Sequence, residues 1–265
     1  MENKVTVDII ILSYAKNDFF KEITENAVNT INSANDSYEK KIIVVESNSG
    51  LKGYQYPFTN TIYPNTKFGY NKFINIGLKH SNADFVCIAN NDLTFDKEWL
   101  NNIIEAFNRN PELASASPIC PENHKKYQIF PNSGIYEGYR TAIELSGWCL
   151  VFRREILKFN LFDNNLSFWY CDNDYANTLK KNNLKHALVT KSIVHHLESI
   201  TLKGESPKKQ SQLTFREKIY FDYKWEHKNW KKYKYRQLRF DYPFFRRMID
   251  NTINLFKTAV KLWKK

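Results

Sequence analysis

Ala83-Asp84-Phe85-Val86-Cys87-Ile88-Ala89-Asn90-Asn91-Asp92 runs from an apolar strand directly into two amides and a carboxylate. A strand this apolar is expected to be buried on both faces, as in a parallel sheet covered by helices. Open sheets of that kind bind ligands at the carboxyl ends of their strands, where Asn90, Asn91 and Asp92 would sit. Hard cations such as Mg²⁺ and Mn²⁺ take carboxylate oxygens together with water and substrate phosphates. The stretch therefore suggests a metal-assisted site for a phosphorylated substrate. The plain alternative for Asp92 is a turn former or helix cap.

Working outward, the same pattern recurs. Val7 to Leu12 is a short apolar strand ending at Ser13-Tyr14, and Lys41 to Val45 is a second, β-branched one ending at Glu46-Ser47-Asn48. Thr61 to Tyr63 is a short third strand. Between them the spacing predicts helices over Asp18–Ser33, with a stripe of Phe19, Ile23, Ala27 and Ile31, and over Gly69–His80, with Phe73, Ile76 and Gly77 inward. A further helix is expected over Asp96–Asn108, faced by Trp99, Leu100, Ile103, Ile104 and Phe107. Alternation of this kind means an α/β domain with a mostly parallel sheet. Past it, Pro118 to Gly138 reads as a long loop or lid, Glu144 to Arg153 as a strand, and Asp172 to Asn182 as a helix. Two brief strands, Leu188-Val189 and Ile193-Val194, lead to His195-His196.

The chain has 265 residues, of which 42% are hydrophobic and 15% aromatic, so it folds rather than remaining disordered. With only 8 Gly and no G-x-G-x-x-G or G-x-x-x-x-G-K-[ST], it lacks a glycine-rich phosphate loop. Cys87, Cys120, Cys149 and Cys171 form no C-x-x-C pair and read as buried thiols in a reducing compartment. The first residues are too mixed for a secretory signal, and no run approaches the length of a membrane span. The net charge of +11 is uneven: Phe215 to Lys265 holds 15 Lys/Arg against 5 Asp/Glu, a net of +10. The organisation expected is a catalytic domain over 1–202, a polar linker over 203–214 and a basic, aromatic-rich helical extension over 215–265. The extension calls for an anionic partner, a membrane surface ahead of a nucleic acid. Its last segment, Met248 to Trp263, fits an amphipathic helix lying on a bilayer, although packing on the body is the structural alternative. The location expected is cytoplasmic, peripheral on the inner face of the membrane.

Three strand ends thus collect Ser13-Tyr14, Glu46-Ser47-Asn48 and Asn90-Asn91-Asp92 on one edge. A tyrosine can stack on a base, an acid or amide can bind the base's edge, and an aspartate can hold a metal on a diphosphate. Trp169-Tyr170-Cys171-Asp172-Asn173-Asp174 sets two acids at a helix start. Asp172 there is either an N-cap or a general base for an acceptor hydroxyl. His195 and His196 are either structural or metal ligands.

The order of these motifs resembles the GT-A glycosyltransferases of family 2, inverting enzymes that use nucleotide sugars. The matching residues are Ile9 to Tyr14, Ile43 to Ser49, Asn65 to Gly77, Asn90-Asn91-Asp92, Leu145 to Trp148, Asp172-Asn173-Asp174, and His195 to Ser199. The resemblance covers roughly residues 5 to 202. It implies a donor site of Ser13, Tyr14, Glu46, Ser47, Asn71 and Asn91, and a divalent cation (Mn²⁺ or Mg²⁺) on Asp92 with His195 or His196. It also implies Asp172 as base, with Asp174 beside it. Trp148, Trp169 and the Pro118–Gly138 loop are expected to hold the acceptor. The chain departs from the family pattern at Asn90, Glu46 and Cys171, where Asp, Asp and Glu are usual.

The function expected is transfer of a sugar from a nucleotide-diphosphate donor to a glycan, lipid-linked or other hydroxyl acceptor, in surface glycan or polysaccharide synthesis. Two other readings stay open: a transferase acting on nucleic-acid bases, with the tail as its arm, and a non-catalytic nucleotide- or glycan-binding module.

Overall fold

Ile9 and Ile11 pack on one face of the central sheet and Ile10 and Leu12 on the other, all in the core. Successive strand residues point to opposite faces, so an unbroken apolar run is what a doubly covered strand requires. The structure, a computed structural model, describes residues 5–35, 37–197 and 207–242, with scattered positions between 244 and 260. The chain divides into two units, residues 1–205 and 206–265.

The first unit opens with β1 (Thr6–Ser13), α1 (Asp18–Asn32), β2 (Glu39–Glu46), β3 (Thr59–Ile62), α2 (Tyr70–Leu78) and β4 (Phe85–Asn90). It continues through β5 (Leu93–Phe95), α3 (Trp99–Arg109), β6 (Leu113–Ile119), α4 (Pro121–His124) and β7 (Ile135–Glu137). β8 (Cys149–Arg153), α5 (Cys171–Lys181) and β9 (Lys185–His196) complete it. The described strands form one sheet in the order β3-β2-β1-β4-β8-β6-β9-β5, with β7 on β9. The fold is the α/β architecture expected. Pairing is parallel from β3 to β4, and β6 and β9 are parallel. β8 runs antiparallel between β4 and β6, and β5 and β7 run antiparallel to β9.

Several local expectations need correcting. The buried stripe of α1 is Phe20, Thr24, Ala27, Val28 and Ile31, and Phe19 is exposed. The helix is turned by about one position because Thr24 meets the buried Ser13 hydroxyl at 2.9 Å. Pro118 to Gly138 is not a loop. Pro118 lies in β6, where the missing N–H is tolerated because β8 pairs only with Ser115 and Ala116 and a bulge follows Pro118. α4, a 3-10 turn and β7 fill most of the rest. The strand expected from Glu144 begins only at Cys149. Before it, the Glu144 carboxylate turns back to Arg140, and the Leu145 amide donates to the Arg140 carbonyl. The two brief strands expected near residue 190 are the single strand β9.

In the second unit α6 (Pro207–Asp222) and α7 (Trp230–Asp241) are described. The stretch 207–214, expected as linker, is therefore helical. Proline suits a first helical position, and Lys, Gln and Leu are good helix formers. The buried Asp222 accepts from Lys218 at 2.8 Å and Arg236 at 2.7 Å, joining the two helices. Burial raises its carboxyl, but these two cations outweigh that and hold it below its ordinary value. Tyr223 and Tyr233 stack at 4.7 Å between ring centroids. Glu198, Ser199, residues 203–206 and most of the expected 248–263 helix lie outside the described residues. Among the described residues no helix is long and apolar enough to cross a membrane.

Candidate active site

β1 and β4 end side by side, Leu12 paired with Asn90, so Ser13-Tyr14 and Asn91-Asp92 emerge together at the sheet edge. Two segments close over that edge. The Asn90 amide donates to the Trp148 carbonyl at 2.9 Å, which draws residues 146–148 onto the end of β4. Asn71 and Asn75 on α2 donate to the carbonyls of Asp163 and Phe162, and Tyr70 N donates to Ser167 O, anchoring the segment 162–170. That segment delivers Phe168, Trp169 and Tyr170 to the start of α5. The result is a cavity of about 360 Å³.

The cavity brings together Ser13, Tyr14, Asn71, Asn91, Asp92, His196, Asp172, Trp148 and Trp169, all expected from the sequence. Glu46, Ser47, Asp174 and His195 do not line it. Glu46 is buried, and its carboxylate accepts from Ser13 Oγ at 2.6 Å, Tyr56 OH at 2.9 Å, Asn48 N at 2.7 Å and Ala15 N at 3.2 Å. Ser47 donates through its amide and hydroxyl to the Ser13 carbonyl. Both residues thus brace the end of β1 from behind. Asp174 is wholly buried, because the first turn of α5 that presents Asp172 to the cavity turns it inward.

The two histidines part because neighbours on a strand face opposite ways. His196 Nε2 lies 3.2 Å from Asp92 Oδ1, whereas His195 binds Glu122 Oε1 at 2.9 Å outside the cavity. Asp92 Oδ1 is buried and receives no hydrogen bond from a described residue. Two adjacent ligands of an octahedral cation, each about 2.1 Å from it, would lie about 3 Å apart. A carboxylate oxygen and an imidazole nitrogen at 3.2 Å fit that demand. Among the described residues no set of three or more such ligands occurs, so the remaining positions suit water and substrate oxygens.

Asp172, also in the lining, accepts through Oδ1 from the Asn173 amide at 2.8 Å. Burial pushes its carboxyl above the ordinary value, and backbone hydrogen bonds from Asn173 and its own amide partly offset this. A Cβ on Gly147 would stand 2.8 Å from the Asp172 Cβ, so only glycine lets the two segments meet. Tyr70 OH donates to the Gly147 carbonyl at 2.9 Å. Burial, with smaller contributions from Cys171 and Asp172, pushes the Tyr70 phenol well up, so it stays a donor. Tyr70, Gly147, Phe68 and Phe168 were not singled out from the sequence as site residues, although Tyr70 opens α2 directly after Gly69 and Gly147 stands next to Trp148. No residue of 118–138 lines the cavity.

A sheet parallel through its first four strands, with its carboxyl edge opening on this cavity, defines a GT-A glycosyltransferase fold. The chain belongs to glycosyl transferase family 2, whose sequence profile matches residues 8–163. That match includes Asp92 and Gly147 but ends before Asp172 and His196, which the tertiary structure adds to the site. A crystal structure of GalNAc-T7 with UDP, GalNAc and Mn²⁺ superposes with a TM-score of 0.65 at 13% identity. The likeness covers 88% of this chain and 50% of that one, so this chain spans about half its length. No curated protein matches.

Proposed function

We propose that the protein transfers a sugar from a nucleotide-diphosphate donor to an acceptor hydroxyl, with inversion, in glycan or lipid-linked glycan synthesis. The observation that carries this is that Asp92, His196 and Asp172 all line one cavity at the carboxyl edge of the sheet. Tyr14, half exposed at the rim, would stack on the donor base. Ser13, Asn71 and Asn91 would hydrogen-bond the donor, with Glu46 and Ser47 keeping Ser13 in place. Asp92 and His196 would hold a divalent cation, which when bound neutralises charge on a departing diphosphate. The presence of UDP, GalNAc and Mn²⁺ in the GalNAc-T7 structure supports a nucleotide sugar and a cation here.

Asp172 would take the proton of the acceptor hydroxyl as it attacks the anomeric carbon. A carboxylate raised by burial is a better base near neutral pH than an exposed one. Trp169 and Phe168 offer ring surface to an acceptor sugar. Asp174, buried behind Asp172, would support the helix start rather than touch substrate.

The second unit would dock the enzyme on an anionic bilayer. Trp230, Tyr235, Leu238 and Tyr242 are exposed on or beside α7, interleaved with Lys231, Lys232 and Arg239. Exposed aromatics among cations suit the headgroup region. Co-sedimentation with anionic vesicles should fall when Lys231 and Lys232 become Glu. Binding to DNA in place of vesicles would favour the nucleic-acid reading.

The decisive test is a thermal-shift panel of nucleotide sugars with and without Mn²⁺, since a ligand that binds only the folded state raises its melting point. One nucleotide family should shift the melt more with Mn²⁺ present. No shift with any of them would overturn the proposal. Binding together with undiminished transfer by Asp172→Asn would overturn the assignment of the base.

A further inference from the structure

We propose that Trp148 is a positioning residue for the cation site: its indole, braced by His124, holds the His196 imidazole in line with Asp92. This rests on the cation reading above and reassigns a residue expected to be an acceptor platform. The indole and the imidazole stack, with centroids 5.6 Å apart and planes 28° from parallel. Stacking occupies the face of the imidazole and leaves its ring nitrogens, which lie in the plane, available. Nε2 is the atom 3.2 Å from Asp92 Oδ1.

The need for a brace follows from torsions. Pairing of Leu93 with His196, and the bond from Leu197 N to Asp92 O at 3.0 Å, fix the backbone of both ligands. They do not fix the histidine χ2, a broad sp³–sp² torsion. Metal-binding histidines are commonly oriented by a hydrogen bond at the second ring nitrogen. Among the described residues none makes that bond to His196, and the indole face is the contact that sets the ring's rotation. Trp148 is itself held. Its carbonyl accepts from Asn90, two residues before Asp92, at 2.9 Å. His124 and the indole meet edge to face, with ring centroids 6.1 Å apart and planes at 76°. His124 is buried, with Nδ1 3.1 Å from the Cys120 amide and Nε2 3.0 Å from the Ile143 carbonyl, so its ring cannot turn. Glu122, on the same short helix α4, binds His195. α4 therefore reaches His195 directly through Glu122 and His196 through Trp148, which gives the segment 118–138 a role behind the site.

The test is Mn²⁺ affinity, followed by EPR of free Mn²⁺ with UDP, GDP or dTDP present. Trp148→Leu fills the space without a flat ring and should weaken Mn²⁺ binding about 10- to 100-fold, the range for partners that orient a ligand. Trp148→Phe keeps a stacking face and should retain most of the affinity. In parallel, NMR of His196 ring protons should show an upfield shift in the wild type that is lost in Trp148→Leu, a signal that loss of packing elsewhere would not produce. Mn²⁺ binding by Trp148→Leu equal to wild type, with only the acceptor KM raised, would overturn the proposal and restore the platform role. Failure of the wild type to bind Mn²⁺ with any of the three nucleotides would overturn this proposal and the cation reading together.

Discussion

Replacing Gly147 by alanine would set a methyl group 2.8 Å from the Asp172 Cβ and 3.4 Å from its Oδ2. The nearest ordinary contact for such a carbon is 3.4 Å, so the two segments must part by about 0.6 Å. The atom met first is a Cβ at the start of α5, which cannot move without its backbone. A displacement of about 1 Å in a reacting group can cost about 10²-fold, so 0.6 Å in proportion gives roughly 10- to 20-fold in kcat. Overpacking should also cost about 1–3 kcal/mol of stability. The assay is steady-state transfer alongside donor affinity, with Gly77→Ala as the control. There the new methyl meets Ile10 Cγ2 at 2.6 Å in the core, away from the cavity. Gly147→Ala should lose kcat with donor affinity kept, whereas Gly77→Ala should lose stability with kcat kept. Wild-type kcat in Gly147→Ala, or equal kcat losses in both, would refute the view that the glycine seats Asp172.

Asp172→Asn should lower kcat about 10²–10⁴-fold and raise the melting temperature at neutral pH. Because the folded carboxyl is raised, its stabilising contribution is present below the ordinary carboxylate range and is lost as pH rises through the raised value, so a neutral amide removes a penalty. The acid limb of the kcat/KM profile should sit above an ordinary aspartate's, and a limb at the ordinary value would argue against Asp172 as base. Glu46→Ala leaves the Ala15 and Asn48 amides without their acceptor, at about 1–3 kcal/mol for each donor left unmade, while Ser13 Oγ and Tyr56 OH keep Thr24 and each other, so chemical denaturation should show a loss of a few kcal/mol. His186 is buried against Ser115 and the Glu144 carbonyl, and burial lowers its pKa from 6.5 to about 4. Its contribution to stability is present above about pH 6.5 and should be lost as pH falls toward 4, a slope that His186→Gln should reduce in thermal melts.

Much of the candidate site's lining was legible in the chain. Asp92 at the end of a strand too apolar for one-sided burial marked both the sheet and its functional edge, and Ser13-Tyr14 marked the neighbouring strand end. The glycosyltransferase resemblance named Asp172 and a histidine beside Asp92. Glu46 was misread as part of the pocket lining because its four partners come from three separated segments. Pro118 was misread as a loop because the end of β8, which spares its missing N–H, is a tertiary event.

What the sequence determined by itself is period: which residues share a face. It set Ile9 with Ile11 against Ile10 with Leu12, His195 against His196, and Asp172 against Asp174. What only the tertiary structure decided is phase, meaning which of those faces meets the cavity. Phase is set by contacts distant in sequence. Pairing of β9 with β5 puts His196 rather than His195 beside Asp92. Closure of Gly147 against the start of α5 puts Asp172 rather than Asp174 in the cavity. Ser13 under Thr24 turns α1 by one position. A repeat along the chain carries relative orientation only, and the absolute direction of each side chain waits on the partner that buries the other face.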